Sequence, residues 1–299
     1  MSVEQYKSKY AGHTVFIIGT GSSLNVLPIE KLARYHTMAV NYFIPHGVNK
    51  FSFTPDFWGS AYGGYYQSHL NDIASVKNKL DPNKIHLVLP EDYFSVVKEG
   101  WTPPISPVKP SSSDQVRLQE VAQRFQSTKL RTIVAPVNYI PPRFFGVGVI
   151  THLAIPFCCY LGFKRIIFVG MDLGGWNEFY KPRPSMKLRS IRLEEQRTCW
   201  DGQTRRNYDA VKNLNWSIFS RQIPEYNKLI PEDVKFFHTT PRPKRMNASD
   251  KFMFYMRLSN EAKTGFADMT GEGFYIHKLE PLIPYVNFED ALVMAEESN

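Results

Sequence analysis

VFIIGTGSSLN, residues 15–25, is the most informative segment of this 299-residue chain. Its first four residues are apolar and have the composition of a strand that is buried on both faces. Gly19 and Gly21 carry no Cβ, so the backbone can turn tightly there and approach a ligand closely. We expect Ser22 and Ser23 to cap a following helix and to turn free backbone N–H groups toward an anion. The segment predicts a phosphate or nucleotide site at the first strand–helix junction of an α/β domain.

The spacing of this turn departs from two common phosphate-binding motifs. A dinucleotide fingerprint has glycine or alanine three residues after its second glycine, where this chain has Leu24. A P-loop continues into Gly-Lys-Ser or Gly-Lys-Thr, which does not follow here. A strand–turn–helix with a purely structural role therefore stays an alternative.

Composition indicates a globular protein of the cell interior. The hydrophobic fraction is 43%, and no apolar run reaches the roughly 18 residues of a membrane span. The first ten residues, MSVEQYKSKY, contain no apolar signal-peptide core. The cysteines are Cys158, Cys159 and Cys199, an odd number without zinc-type CxxC spacing. We expect a cytoplasmic protein, and peripheral contact with the inner face of the membrane stays open.

The formal charge of +8 is concentrated in the second half of the chain. Residues 181–221 contain ten Lys and Arg against four Asp and Glu, and Arg242, Lys244 and Arg245 form a second cluster. Such surfaces favour anionic partners, although a solvated basic loop is the simpler interpretation. Nucleic acid is disfavoured because the chain has no recognisable nucleic-acid-binding motif.

The rest of the chain alternates between strand and helix patterns. Further strands are expected at 37–40, 55–58, 84–89, 164–169 and 234–237, and helices at 28–35, 114–126, 149–161 and 207–221. Residues 101–113 are rich in proline and serine and are expected to form a loop or lid. This alternation predicts an α/β fold with an open, mostly parallel sheet.

Two residues at predicted strand ends are candidate catalytic groups. Asp172 follows the strand 164–169, at the edge where parallel sheets place ligands. An aspartate that caps the next turn is the structural alternative. His238 follows the last predicted strand and is the best catalytic candidate among the histidines. The spacing of the histidines indicates no metal cluster.

Four segments, taken in order, resemble the 6-hydroxymethylpterin diphosphokinase-like domain family and, more distantly, the Campylobacter-type bacterial sialyltransferases. They are GTGSSLN, TMAVNYF, GVGVITHLAIPFCCYLGFKRIIFVGMD and FFHTTP, and the resemblance covers roughly residues 13–243. It implies a Rossmann-like glycosyltransferase fold. We therefore expect a nucleotide-binding transferase domain at 1–247 and a C-terminal appendage or lid at 248–299.

The resemblance also implies which residues hold the nucleotide. In the sialyltransferases the glycine-rich turn and the asparagine after the second strand hold a cytidine nucleotide. The matching positions here are Gly19, Thr20, Gly21, Ser23 and Asn41. Thr20 stands where those enzymes have asparagine, which alters one polar contact.

The catalytic residues of the sialyltransferases match this chain only in part. Of the two tyrosines on the donor phosphate, the second matches Tyr180, and Gly174 occupies the position of the first. The loop that holds their general-base histidine reads RTCWDGQTRRNY here and contains no histidine. Asp201 is the nearest candidate base, and Arg205 or Arg206 would stabilise a leaving phosphate or contact the acceptor.

The favoured hypothesis is a glycosyltransferase that uses a nucleotide-activated sugar, specifically an acidic sugar activated by cytidine monophosphate. It requires no cofactor, its acceptor is an anionic small molecule or glycan, and Asp201 or His238 takes the acceptor proton. The alternative is a pyrophosphoryl transferase with Asp56, Asp172 and Asp201 on magnesium. A non-catalytic nucleotide-binding protein is the third hypothesis, and the oligomeric state is left open.

Overall fold

A computed structural model describes residues 3–59, 76–90, 131–135, 150–172, 232–241 and 275–298. Within them lies one open sheet in which every pair of neighbouring strands is parallel, in the order β5-β4-β3-β2-β1-β6-β7. The strands are β1 (Thr14–Ile18), β2 (Thr37–Val40), β3 (Phe57–Gly59), β4 (His86–Pro90), β5 (Arg131–Ala135), β6 (Arg165–Val169) and β7 (Lys235–His238). The expected α/β fold with a parallel sheet is confirmed.

The described helices are short. The α-helices are α1 (Val48–Phe51), α2 (Ile155–Tyr160) and α3 (Phe288–Glu296). The 3-10 helices are Val3–Tyr6, Ser22–Val26, Ile29–Arg34, Lys77–Lys79 and Tyr275–Leu279, and the π-helical turns are Phe43–Gly47 and Ile150–Ala154. None of these helices has the length and apolar composition of a membrane span.

The six strands expected from the sequence are present, each within two residues of its expected bounds. Strand β5 was not expected. The helix expected at 28–35 is the 3-10 helix Ile29–Arg34. The expected loop at 101–113 and the expected helices at 114–126 and 207–221 lie outside the described residues.

The helix expected at 149–161 is present at 150–160, but its hydrogen-bonding type changes partway along. A π-helical turn ends at Ala154, and α2 begins at Ile155 with Pro156 in its first turn. Proline has no N–H to donate, and Pro156 lies just after the change from π-helical to α-helical hydrogen bonding. Gly162, with φ of +95°, follows the end of α2, as expected.

Both faces of the sheet are covered by apolar side chains. In β1, Phe16 and Ile18 point to a first face, and Val15 and Ile17 point to the second. The first face packs against α3 and the 3-10 helix Ile29–Arg34, and the second packs against α2. Coverage of both faces explains why the strand reads as an unbroken apolar run.

The described C-terminal residues 275–298 pack on both faces of the sheet. Those on the second face are Ile276, Leu279 and Ile283, and those on the first are Phe288, Ala291, Leu292 and Ala295. Between them the chain passes the edge of β7, where Tyr285 forms a parallel bridge with His238. Residues 275–298 therefore belong to the same core as the sheet. The expected boundary at 247 lies outside the described residues and stays a prediction.

Gly19 should be intolerant of even one added carbon. A Cβ there would lie 2.5 Å from the backbone oxygen of Gly170, which belongs to the segment after β6. We expect Gly19→Ala to lower the free energy of unfolding, measured in urea, by about 3 kcal/mol. Gly12→Ala is the control, since Gly12 has φ of +88° but nothing within 4 Å of the new Cβ. Backbone strain alone should cost it about 1 kcal/mol, and equal losses in the two variants would contradict the steric explanation.

The pKa of His36 should make stability depend on pH. Burial lowers this pKa, with smaller contributions from His13 and Lys84, while the charge of Asp56 raises it. The unfolded chain therefore binds a proton more readily than the folded chain, and stability should fall as pH drops below about 6.5. We expect a smaller loss in His36→Gln than in the unaltered protein when unfolding is followed between pH 7 and pH 5. An equal loss would show that other groups cause the dependence.

Candidate functional site

The candidate site lies where the order of the strands reverses. From β1 the chain adds β2, β3, β4 and β5 on one side, and then β6 and β7 on the other. In open α/β sheets, ligands bind at such a reversal, outside the carboxyl ends of the strands. The glycine-rich turn follows β1, and Asp172 follows β6, at this same edge. The structure thus brings the two main predicted elements together.

Asp172 is a buried carboxylate, with 5% of the residue exposed. Ser23 donates two hydrogen bonds to it, from its backbone N–H to Oδ2 at 3.0 Å and from its hydroxyl to Oδ1 at 2.5 Å. The hydroxyl of Thr240 donates to Oδ1 at 3.5 Å. A buried carboxylate is stabilised by such donors. Asp172 therefore joins the segments that follow β1, β6 and β7.

The N–H groups of both glycines in the glycine-rich turn bind oxygen atoms of the protein. Gly19 donates to the Val169 carbonyl, and Gly21 donates to the Gly170 carbonyl, both at 2.8 Å. The 3-10 helix at Ser22–Val26 has Gly21 as its N-cap residue, with no side-chain capping bond. The expectation that Ser22 and Ser23 cap the helix is therefore corrected, because Gly21 is the N-cap residue. The expected free N–H is also wrong for Ser23, since Asp172 takes both of its donors.

Protein contacts also account for glycine at position 21. A Cβ there would lie 2.5 Å from Oδ2 of Asp172 and 2.6 Å from the carbonyl oxygen of Gly170. Any side chain would displace the carboxylate that holds Ser23. Glycine at position 21 thus allows a close approach of the segment after β6 to the turn, and the predicted approach to a ligand stays a prediction.

Thr20 and Asn41 lie at the same edge and are partly exposed. Asn41 follows β2 with φ of +51°, a backbone conformation that few residues except glycine and asparagine adopt readily. Its N–H donates to Gly59, and its carbonyl accepts from the Trp58 indole at 2.7 Å. These two hydrogen bonds fix the backbone of Asn41 against the end of β3.

His238 is fully buried at the carboxyl end of β7. Its ring packs against His277 and Tyr285, with centroid distances of 5.0 and 5.5 Å. A ligand atom of His238, one of His277 and one of Glu280 all lie within 4.8 Å of one another. The spacing of the histidines did not reveal this group, because residues 275–280 reach His238 only when the chain folds back on β7.

The other candidate site residues lie outside the described residues. They are Tyr180, Asp201, Arg205 and Arg206. Their roles on the donor phosphate, the acceptor and the leaving group stay predictions.

Asp56 lies at the opposite edge of the sheet from Asp172. It precedes β3, and its carboxylate accepts from the Thr37 N–H at 2.8 Å and the Thr37 hydroxyl at 3.2 Å. Lys84 lies 3.8 Å from it. Because the strands are parallel, the amino end of β3 and the carboxyl end of β6 are on different edges. The expectation that Asp56 and Asp172 hold one magnesium ion together is therefore wrong.

Comparisons with protein-family models, with curated proteins and with solved structures found no match in any of the three.

Removing the carboxylate of Asp172 should destabilise the protein. Asp172→Ala leaves the two donors of Ser23 buried without their partner, which we expect to cost about 3 kcal/mol of unfolding free energy. Asp172→Asn keeps one acceptor oxygen and should lose less. The control is Asp233→Ala, which removes an exposed carboxylate that pairs only at the surface with Lys164, and should lose little. Equal stability of the alanine variants would contradict the bridging role of Asp172.

Proposed function

We propose that this chain is a glycosyltransferase that takes its sugar from a nucleotide-activated donor, specifically an acidic sugar activated by cytidine monophosphate. One observation carries the proposal: the glycine-rich turn, Asn41 and Asp172 lie at the carboxyl edge of a parallel sheet, around the point where strand order reverses. Sheets of this kind bind nucleotides at that point. The resemblance in the sequence supports glycosyl transfer as the chemistry.

The contacts of the turn define how such a donor would bind. The N–H groups of Gly19, Gly21 and Ser23 are already occupied. We therefore assign direct donor contacts to Thr20 and Asn41, which are partly exposed at the edge. Gly19, Gly21 and Ser23 would instead hold the floor of the site against β6.

In this proposal Asp172 is a positioning residue. Both of its carboxylate oxygens accept hydrogen bonds from buried groups. Asp172 therefore holds the segments of the site in place and does not act as the proton acceptor. Burial also separates His238 from an acceptor that arrives from solvent. This favours Asp201 over His238 as the general base, with Tyr180 and Arg205 or Arg206 on the leaving phosphate.

The position of Asp56 makes pyrophosphoryl transfer less well supported. That chemistry needs carboxylates grouped around magnesium next to the ATP phosphates. With Asp56 on the opposite edge, Asp172 and Asp201 are left from the expected set, and Asp172 is already hydrogen-bonded. Glycosyl transfer from a sugar activated by a nucleoside monophosphate does not require such a set of carboxylates around magnesium.

Thermal unfolding with nucleotides tests the proposal. We expect cytidine monophosphate to raise the Tm in the presence of a chelator, because ligands that bind the folded state stabilise it. Asn41→Gly should weaken the binding of cytidine monophosphate by about tenfold, which corresponds to the loss of one hydrogen bond. Glycine retains the positive φ of residue 41, so the protein should stay folded. Release of cytidine monophosphate from the activated sugar, with and without acceptor, then measures turnover.

The matched control is Ser52→Gly. Ser52 has φ of +55° and is exposed at the end of α1, so this variant makes the same kind of backbone change away from the site. Stabilisation only by ATP with magnesium would favour the pyrophosphoryl transferase. Binding of cytidine monophosphate without turnover of any activated sugar would favour the non-catalytic protein. No shift with any nucleotide would overturn nucleotide binding at this edge.

A further inference from the structure

Two imidazoles and a carboxylate converge at the carboxyl end of β7, on the second face of the sheet. The residues are His238, His277 and Glu280, and one potential ligand atom from each lies within 4.8 Å of the other two. His238 is fully buried, whereas the side chains of His277 and Glu280 are 15% and 26% exposed. The group is thus anchored in the core and open to solvent on one side.

Each ring nitrogen of His277 lies next to an oxygen atom, one from Pro241 and one from Glu280. Its Nε2 lies 3.1 Å from the backbone oxygen of Pro241, which can only accept, so Nε2 carries a proton. A neutral ring then has a lone pair on Nδ1. That atom lies 2.9 Å from Oε1 of Glu280, which also carries lone pairs when the carboxylate is ionised. The two atoms are thus placed so that one cation, a proton or a metal ion, can bind both.

We propose that His238, Nδ1 of His277 and Glu280 bind one divalent transition-metal ion, with zinc as the best match. Two imidazoles and one carboxylate are a donor set that suits zinc better than magnesium or calcium, which prefer oxygen. Three protein ligands leave a fourth position, on the exposed side, for water or another ligand.

The Pro241 carbonyl supports this assignment. Histidines that bind metals usually donate their second ring N–H to a carbonyl or carboxylate, which fixes the ring and directs the other nitrogen to the ion. His277 has this arrangement, with Nε2 on Pro241 and Nδ1 toward the group. Tyr285 packs beside both imidazoles. Its ring centroid lies 5.5 Å from that of His238 and 6.0 Å from that of His277.

The metal site is independent of the nucleotide proposal. The site lies close to Asp172 at the carboxyl edge. Ile276, the residue before His277, donates its N–H to the Asp172 carbonyl at 3.3 Å. Thr240, the residue before Pro241, contacts the Asp172 carboxylate. The metal site depends only on His238, His277, Glu280 and the carbonyl of Pro241. Failure of nucleotide binding would leave the metal proposal unaffected.

Zinc binding to untagged protein, freed of metal and titrated against a chromogenic chelator, tests the proposal. We expect one equivalent of zinc to bind. Glu280→Gln and His277→Gln should each weaken zinc binding by more than about 100-fold, because loss of a residue that only hydrogen-bonds to a metal ligand already costs about 10–100-fold. Zinc should also raise the Tm of the unaltered protein and not that of either variant.

Matched variants remove the same chemical groups elsewhere. Glu289→Gln alters an exposed glutamate that pairs with Lys31. His36→Gln alters a histidine at the amino edge of the sheet, where the ring centroids of His13 and His36 are 5.4 Å apart. Neither should change zinc affinity. All titrations use a Cys199→Ser background, since thiolates bind zinc. Burial raises the pKa of Cys158 and raises that of Cys159 to about 12, so these two compete poorly.

The outcomes separate a metal from a proton. One equivalent of zinc, lost in Glu280→Gln and His277→Gln and retained in both controls, supports the site. Zinc that binds equally well to all four variants would lie elsewhere and would overturn the assignment. No zinc binding, with the protein as stable in chelator as with metal, would leave a proton between His277 and Glu280 and would also overturn it. Glu280 is partly exposed, so Glu280→Gln should fold even if a histidine variant does not.

Discussion

The buried carboxylate of Asp172 is the contact on which the carboxyl edge of this fold depends. Placing an ionised carboxylate in a protein interior is costly unless hydrogen-bond donors replace the lost water. Ser23 supplies two such donors, and the hydroxyl of Thr240 lies 3.5 Å from Oδ1. The same residue accepts the N–H of Ile276 through its backbone carbonyl. One aspartate therefore fixes the turn after β1, the end of β7 and the start of the described C-terminal segment.

This contact changes how the glycine-rich turn should be understood. In phosphate-binding loops, glycines allow backbone N–H groups to surround an anion. Here the N–H groups of Gly19 and Gly21 bind carbonyl oxygens, and that of Ser23 binds the Asp172 carboxylate. The protein supplies its own anion at this position. An external phosphate would therefore bind over the turn and depend on side chains such as Thr20 and Asn41.

Local features of the sequence predicted most of the sheet. Strands β1, β2 and β6 are apolar runs that end at glycine or asparagine, and their bounds follow from composition alone. The N-terminus of α3 had an equally local signal that sequence reasoning did not use, since Asn287 accepts from the N–H of Asp290 as an N-cap. Contacts between distant residues could not be predicted in this way. Ser23 and Asp172 are 149 positions apart, and no pattern within either segment names its partner. The grouping of His238 with His277 and Glu280 likewise depends on the return of the chain along β7.

The carboxyl edge at Asp172 and the proposed metal site share two short segments, and this has a physical consequence. Thr240 contacts Asp172, and the next residue, Pro241, accepts from His277. On the other segment, Ile276 donates to Asp172, and its neighbour His277 is one of the three proposed metal ligands. An ion held by His238, His277 and Glu280 would fasten residues 275–280 to the end of β7. That attachment would in turn hold the Ile276 N–H against the Asp172 carbonyl. The metal would thus act on the carboxyl edge at Asp172 through backbone position, without direct contact with a ligand proposed to bind there.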